Sequence, residues 1–175
     1  NLLQNLVLRG ASKNTRLFTD YLKYLSDQEI AVKDLASRLR AAANDKTKQN
    51  NLQVQMDQLN KKVRAYQQNI ISSHKGSLTA AIIKATTEVT PPEFSGDENE
   101  QQLKKWRFIQ RHYFDNIDLA DERLLRTPVL HPAVVNYIDK LQVQHPDTLS
   151  VALDNLLNRL SPAGESFKFY LIYFL

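Results

Sequence analysis

Two stretches in the first half of the chain repeat an apolar side chain every three or four positions. The first runs through Phe18, Tyr21, Leu25, Gln28, Val32, Leu35, Leu39 and Ala42. The second runs through Leu52, Met56, Leu59, Val63, Tyr66 and Ile70. A 3-4-3-4 spacing keeps one narrow stripe on one side of an α-helix. Each stretch predicts a helix of about 27 residues, some ~40 Å long at 1.5 Å per residue. Asn44-Asp45 separates them, and Asp45 is placed to cap the second helix. Two such helices with a short turn make a long antiparallel αα-hairpin over residues 11–75. Gln28 is the polar interruption of the stripe, either fixing register or reaching solvent.

From residue 76 the pattern changes to shorter periodic segments punctuated by Gly and Pro. Gly76 suits the end of the second long helix, with His74 and Lys75 complementing its C-terminal dipole. A short apolar helix over 78–87 follows, stopped by Val89-Thr90-Pro91-Pro92. Glu98 and Glu100 open a helix carrying Leu103, Trp106, Ile109, Gln110 and Tyr113. A short helix covers 121–126, another contains Pro132 in its first turn and runs to Leu141, and Pro146 begins a third through Leu160. Pro162 and Gly164 end that one, and a last helix begins at Glu165. The fold class expected is all-α: the hairpin, then a bundle of shorter helices over 76–175 that forms one domain with it. Antiparallel pairs joined by short turns resemble an α-solenoid, but no sequence repeat recurs at a fixed period. Residues 1–10, NLLQNLVLRG, are apolar and end at Gly; they fit a strand left from a preceding small β domain, though so short a run does not distinguish strand from helix.

Composition narrows the chemistry. There is no cysteine in 175 residues, so this segment has no disulfide framework, thiolate metal site or cysteine nucleophile. Only 4 glycines and 6 prolines occur, which lets helices run long. The chain opens on Asn, its single Met is Met56, and it closes on FKFYLIYFL without a capping signal. These ends predict a piece of a longer protein. The closing run is about half the ~20 residues that span a bilayer and reads as a core helix. The net charge of +4 is unevenly placed: residues 11–75 hold twelve basic and six acidic side chains, residues 76–175 ten basic and thirteen acidic. The hairpin lysines are scattered among Gln and Asn without an Arg-rich block or interleaved aromatics, so they read as a solvated face rather than a nucleic-acid surface.

No catalytic constellation, cofactor site or metal site is expected. His74, His112, His131 and His145 lack the i, i+4 spacing of a helical zinc pair. His131 and His145 each precede Pro, where an imidazole commonly bonds loop backbone. Asp115, Asp118 and Asp121 lack the alternating ligands and the Gly of a calcium loop. They read instead as helix caps and partners for Arg123 or Arg126. The aromatic set Trp106, Tyr113, Phe114, Phe167, Phe169, Tyr170, Tyr173 and Phe174 reads mainly as core. Phe167, Tyr170 and Phe174 are the candidate partner-facing residues.

The stretch YFDNIDLADERLLRTPVLHPAVVNYIDKL, with QHPDTL just after it, resembles the helical domain that precedes the thioredoxin domain in TlpA-like (AhpC/TSA-type) envelope proteins. NTRLFTDYLKYL, KKVRAYQQNII, GSLTAAIIKA and ESFKFYLIYFL are similar to that domain as well. The resemblance implies a periplasmic thiol–disulfide oxidoreductase with a small β domain before this segment and a C-x-x-C module after it. This segment would then be its non-catalytic helical spacer or recognition domain. The implied partners are the flanking β and thioredoxin domains and a protein substrate. The family's redox cysteines match no position here, so no catalytic residue carries over. The unbroken stripes of the hairpin support an alternative of another class, a coiled-coil scaffold that self-associates as a homodimer.

Overall fold

The computed structural model describes residues 12–43 and 45–175. All of the regular structure among them is helical. The strand expectation for residues 1–10 lies outside the described residues. The chain divides into two compact units, Asn1–Ala80 and Ala81–Leu175.

The first unit is the hairpin of α1 (Lys13–Ala41) and α2 (Lys46–Ser73). At 29 residues, α1 is about 44 Å long. Ser12 caps it by accepting from Thr15 N–H at 3.2 Å. Asp45 caps α2 as the sequence predicts, accepting from Lys48 N–H at 3.0 Å. That bond and the Lys48 ammonium hold the Asp45 carboxyl below its ordinary range. The predicted stripes meet along the hairpin. Tyr21, Leu35, Leu52 and Ile70 are buried, and the other stripe positions, Gln28 among them, are half-buried. Two helices alone cannot wrap a seam completely, which is why so much of it stays half-exposed. The Tyr21 hydroxyl accepts from Gln67 Nε2 at 2.9 Å across the seam. Beside it Tyr66 packs against Tyr24 with ring centroids 4.1 Å apart and planes tilted by 38°. Thr79, in the first turn of α3 (Leu78–Ala85), closes the unit by donating to the Asn14 carbonyl at 3.3 Å.

The second unit holds the end of α3, then α4 (Glu98–His112), a 3-10 turn (Glu122–Arg126), α5 (Leu130–Asp139), α6 (Pro146–Leu160) and α7 (Gly164–Phe174). Asp97 starts α4 by accepting from Glu100 N–H at 2.9 Å. Glu98 and Glu100 sit in the first turn and Arg111 in the last, each sign matching the helix dipole. Gly96 precedes them at φ +131°, where a Cβ would also run into the Glu100 side chain; only Gly is unstrained there. The core is made by Leu124, Leu130, Val134, Leu156, Leu160 and Tyr170, all essentially without solvent exposure. Consecutive helices pack on one another, α5 on α6 and α6 on α7, while the 3-10 turn packs on both α5 and α7.

Two boundaries differ from the sequence reading. Residues 122–126 form a 3-10 turn rather than an α-helix, started by Asp121. Helix α5 ends at Asp139 rather than Leu141, while Pro132 is its third residue, in the first turn as expected. A proline is tolerated there because the first N–H groups of a helix have no intrahelical partner to lose. No described helix is long and apolar enough to cross a membrane.

Candidate partner-facing surface on the last helix

Helix α7 has no side chain of its own to cap it, since Ala163 occupies the N-cap position. The cap comes from the 3-10 turn: Glu122 Oε1 accepts from Glu165 N–H at 3.1 Å. A carboxylate at this end also complements the helix dipole. Gly164 leaves room for it, a Cβ there lying 3.6 Å from the same oxygen. The turn therefore sets where α7 starts and which way its faces point.

The inner face of α7 carries Ala163, Ser166 and Tyr170, all fully buried. Tyr170 lies parallel to the His131 ring of α5, with centroids 6.1 Å apart and planes 14° apart. Tyr173 and Phe169 meet that imidazole edge-on at 5.1 and 6.2 Å. The outer face carries Phe169, Ile172 and Tyr173, which are 45%, 74% and 49% exposed. These are i, i+3 and i+4 neighbours on one side of a helix.

This corrects the sequence expectation for the surface. Tyr170 does not face outward but is a core residue, and Phe167 and Phe174 are half-buried. The missed positions are Phe169, Ile172 and Tyr173. In FKFYLIYFL the exposed Lys168, one turn before Ile172, is the single charged marker of the outer side; the other eight residues are apolar or aromatic, so hydropathy sets the rotational phase of the helix only weakly. Ser166 four residues before Tyr170 marks the buried side, but a serine there is not an obvious core residue.

Three buried polar atoms gather around this inner face. His131 Nδ1, Ser166 Oγ and Tyr170 OH have no hydrogen-bond partner among the described residues. His131 thus does not bond loop backbone through Nδ1 as expected; it packs among aromatic rings. Burial, with Tyr173 adding to it, pushes the Tyr170 phenol up to about 12, so it stays protonated at any ordinary pH. A buried hydroxyl without a partner costs about 1–3 kcal/mol. Tyr170→Phe and Ser166→Ala are therefore expected to melt at or above the wild-type temperature in a calorimetric scan. A loss of more than about 1 kcal/mol would mean that the hydroxyl has a partner after all.

The acids of the central stretch have local duties. Asp115 Oδ2 lies 2.7 Å from His112 Nδ1, and Asp118 Oδ1 accepts from Ala120 N–H at 3.0 Å. Asp121 takes Arg123 bidentately, from Nε at 2.8 Å and Nη2 at 2.7 Å. Those bonds hold its carboxyl below the ordinary range. His145, at the start of α6, faces Asp147 at 3.7 Å. What remains outward on α7 is an aromatic and aliphatic face flanked by the exposed Lys168–Glu165 pair at 3.8 Å. Such a face can cover apolar surface on another body; it carries no acid, base or nucleophile at its centre.

Residues 46–174, from the first residue of α2 to the last of α7, match the family described as Domain of unknown function (DUF5106). The chain belongs to the DUF5106 family. The DUF5106 region spans one helix of the hairpin and everything after it, and α1 precedes it. No curated protein and no solved structure is significantly similar to the chain.

Proposed function

We propose that this chain is the non-catalytic helical spacer and recognition domain of a periplasmic thioredoxin-like thiol–disulfide oxidoreductase. The observation that carries the reading is the stretch 113–141 with QHPDTL after it, which resembles the helical domain preceding the thioredoxin fold in TlpA-like proteins. The geometry is compatible with such a role. A hairpin about 44 Å long holds bodies apart, and the outward Phe169, Ile172 and Tyr173 offer an apolar face to a flanking domain or a protein substrate. The domain would set the distance and angle at which a thiolate meets its substrate disulfide. The coding sequence of the parent gene is the direct test. An in-frame C-x-x-C module downstream of Leu175 is expected, and its absence would end the proposal. Cell fractionation should place the parent protein in the periplasm.

A second reading, self-association through the hairpin, is favoured by one observation: Met56, Leu59 and Val63 remain half-exposed along the α2 seam. Light scattering across a concentration series decides it, since a strict monomer at high concentration removes it.

A further inference from the structure

A groove of about 640 Å³ runs between α4 and α6, floored by Tyr137 of α5 and by Gln142. It lies wholly within the second unit. Two arginines one helical turn apart, Arg107 and Arg111, project along its α4 wall. Their surroundings are unusual for this unit. Residues 81–175 carry ten basic and thirteen acidic side chains, yet four of the ten bases fall between Lys104 and Arg111. Lys104 pairs with Glu100 at 3.8 Å, while neither Arg107 nor Arg111 has a carboxylate within 4.0 Å among the described residues. Asp115, four residues after Arg111, is turned to His112 at 2.7 Å instead. The groove's own acid, Asp147, is turned to His145 at 3.7 Å and is almost fully exposed.

The floor supplies an independent sign. Gln142 is only 8% exposed, and its Nε2 is buried without a hydrogen-bond partner among the described residues. The orientation of this amide follows from its neighbour. Gln110 Nε2 donates to the Leu141 carbonyl at 2.9 Å and to Gln142 Oε1 at 2.8 Å. The carbonyl forces nitrogen toward it, both Gln110 hydrogens are used, and Gln142 must turn its oxygen to Gln110 and its nitrogen away. A buried donor without an acceptor is destabilising, and a ligand oxygen would satisfy it. The α6 wall of the groove carries Val151, 61% exposed, and α4 also bears the exposed Leu103 and Trp106, at 46% and 36%. Exposed apolar side chains beyond the groove fit an extended chain better than a compact small molecule, which would be enclosed on most sides.

We propose that the α4/α6 groove binds an acidic peptide segment of a protein partner. Arg107 and Arg111 take its carboxylates, Gln142 offers an amide hydrogen at the floor, and its apolar side chains lie on Tyr137 and Val151. Guanidinium groups suit this role because their planar fork matches a carboxylate bidentately. The inference rests on the second unit alone and stands whether or not a thioredoxin module accompanies the chain, so the two tests fail independently.

Trp106 is the single tryptophan of the chain and adjoins Arg107, so its fluorescence reports occupancy directly. The full chain is titrated with a synthetic peptide alternating Glu and Leu, and with the same peptide carrying Gln for Glu. Saturable change is expected with the Glu peptide only, weakening as salt is raised. Arg107→Ala and Arg111→Ala should each weaken it roughly tenfold, the size typical of one charge-assisted contact. Both positions are exposed, so the variants should retain the wild-type circular dichroism, and Val151→Asp provides a third variant that repels the peptide from the other wall. Equal binding of the Gln peptide, affinity unmoved by both arginine variants, or an identical response to acetate at equal concentration would each overturn the proposal.

Discussion

Leu124→Ala should lower the stability of the second unit by about 2–5 kcal/mol, the range for removing a large aliphatic side chain from a packed core. Leu124 has no solvent exposure, although it belongs to a five-residue 3-10 turn rather than to a helix. The turn packs against both α5 and α7, so the cavity would open where three elements meet. Collapse into that cavity is restrained on both sides. Asp121 starts the turn through the Arg123 amide at 3.1 Å and holds the Arg123 side chain, and Glu122 is bound to the start of α7. A site that cannot relax sits at the costly end of the range. Urea denaturation followed by Trp106 fluorescence and far-UV circular dichroism measures the effect. Val151→Ala, at an exposed position of α6, serves as a control expected within about 0.5 kcal/mol of wild type. If the Leu124 variant were as stable as that control, the turn would be a surface ornament and not the hub described above.

The second large effect is expected in the hairpin. Tyr21→Ala should cost about 3–5 kcal/mol, as truncations of buried aromatic residues do. Tyr21 is 5% exposed, its ring stacks at 6.5 Å on Tyr66, and its hydroxyl takes the Gln67 amide hydrogen from the opposite helix. Few other hairpin side chains are fully buried, so each one carries a large share of the packing. Tyr21→Phe separates the two contributions, because it keeps the ring and loses only the hydrogen bond, at about 0.5–1.5 kcal/mol. Thermal unfolding followed by circular dichroism would show both steps. Equal losses for the Ala and Phe variants would mean that the ring contributes nothing, contrary to its burial.

Much of the helical architecture was legible because period and capping agree locally. The stripes from Phe18 and from Leu52 place α1 and α2, Asp45 starts α2, and Pro146 begins α6 at the position where its missing N–H costs nothing. Legibility failed where neighbours in space, not in sequence, choose. The rotational phase of α7 is only weakly legible in FKFYLIYFL, where Lys168 is the single charged residue among eight apolar or aromatic ones. Packing on α5, α6 and the 3-10 turn turned Tyr170 inward and left Phe169, Ile172 and Tyr173 outside. The α4/α6 groove was equally hidden. Arg107, Arg111, Gln142 and Val151 span 45 positions, and no spacing rule joins them.

For this protein, the order of hydrophobic and polar residues by itself determined that the chain is helical, where most helices start and stop, and which stripe closes the hairpin. Those outcomes depend on hydrogen bonds and side-chain contacts a few residues apart. Tertiary structure alone decided which aromatics of α7 are core, that Glu122 caps a helix beginning 42 residues later, and that two arginines line one groove with Gln142 and Val151. Each of these depends on groups distant along the chain, brought together only when apolar burial orders the whole unit.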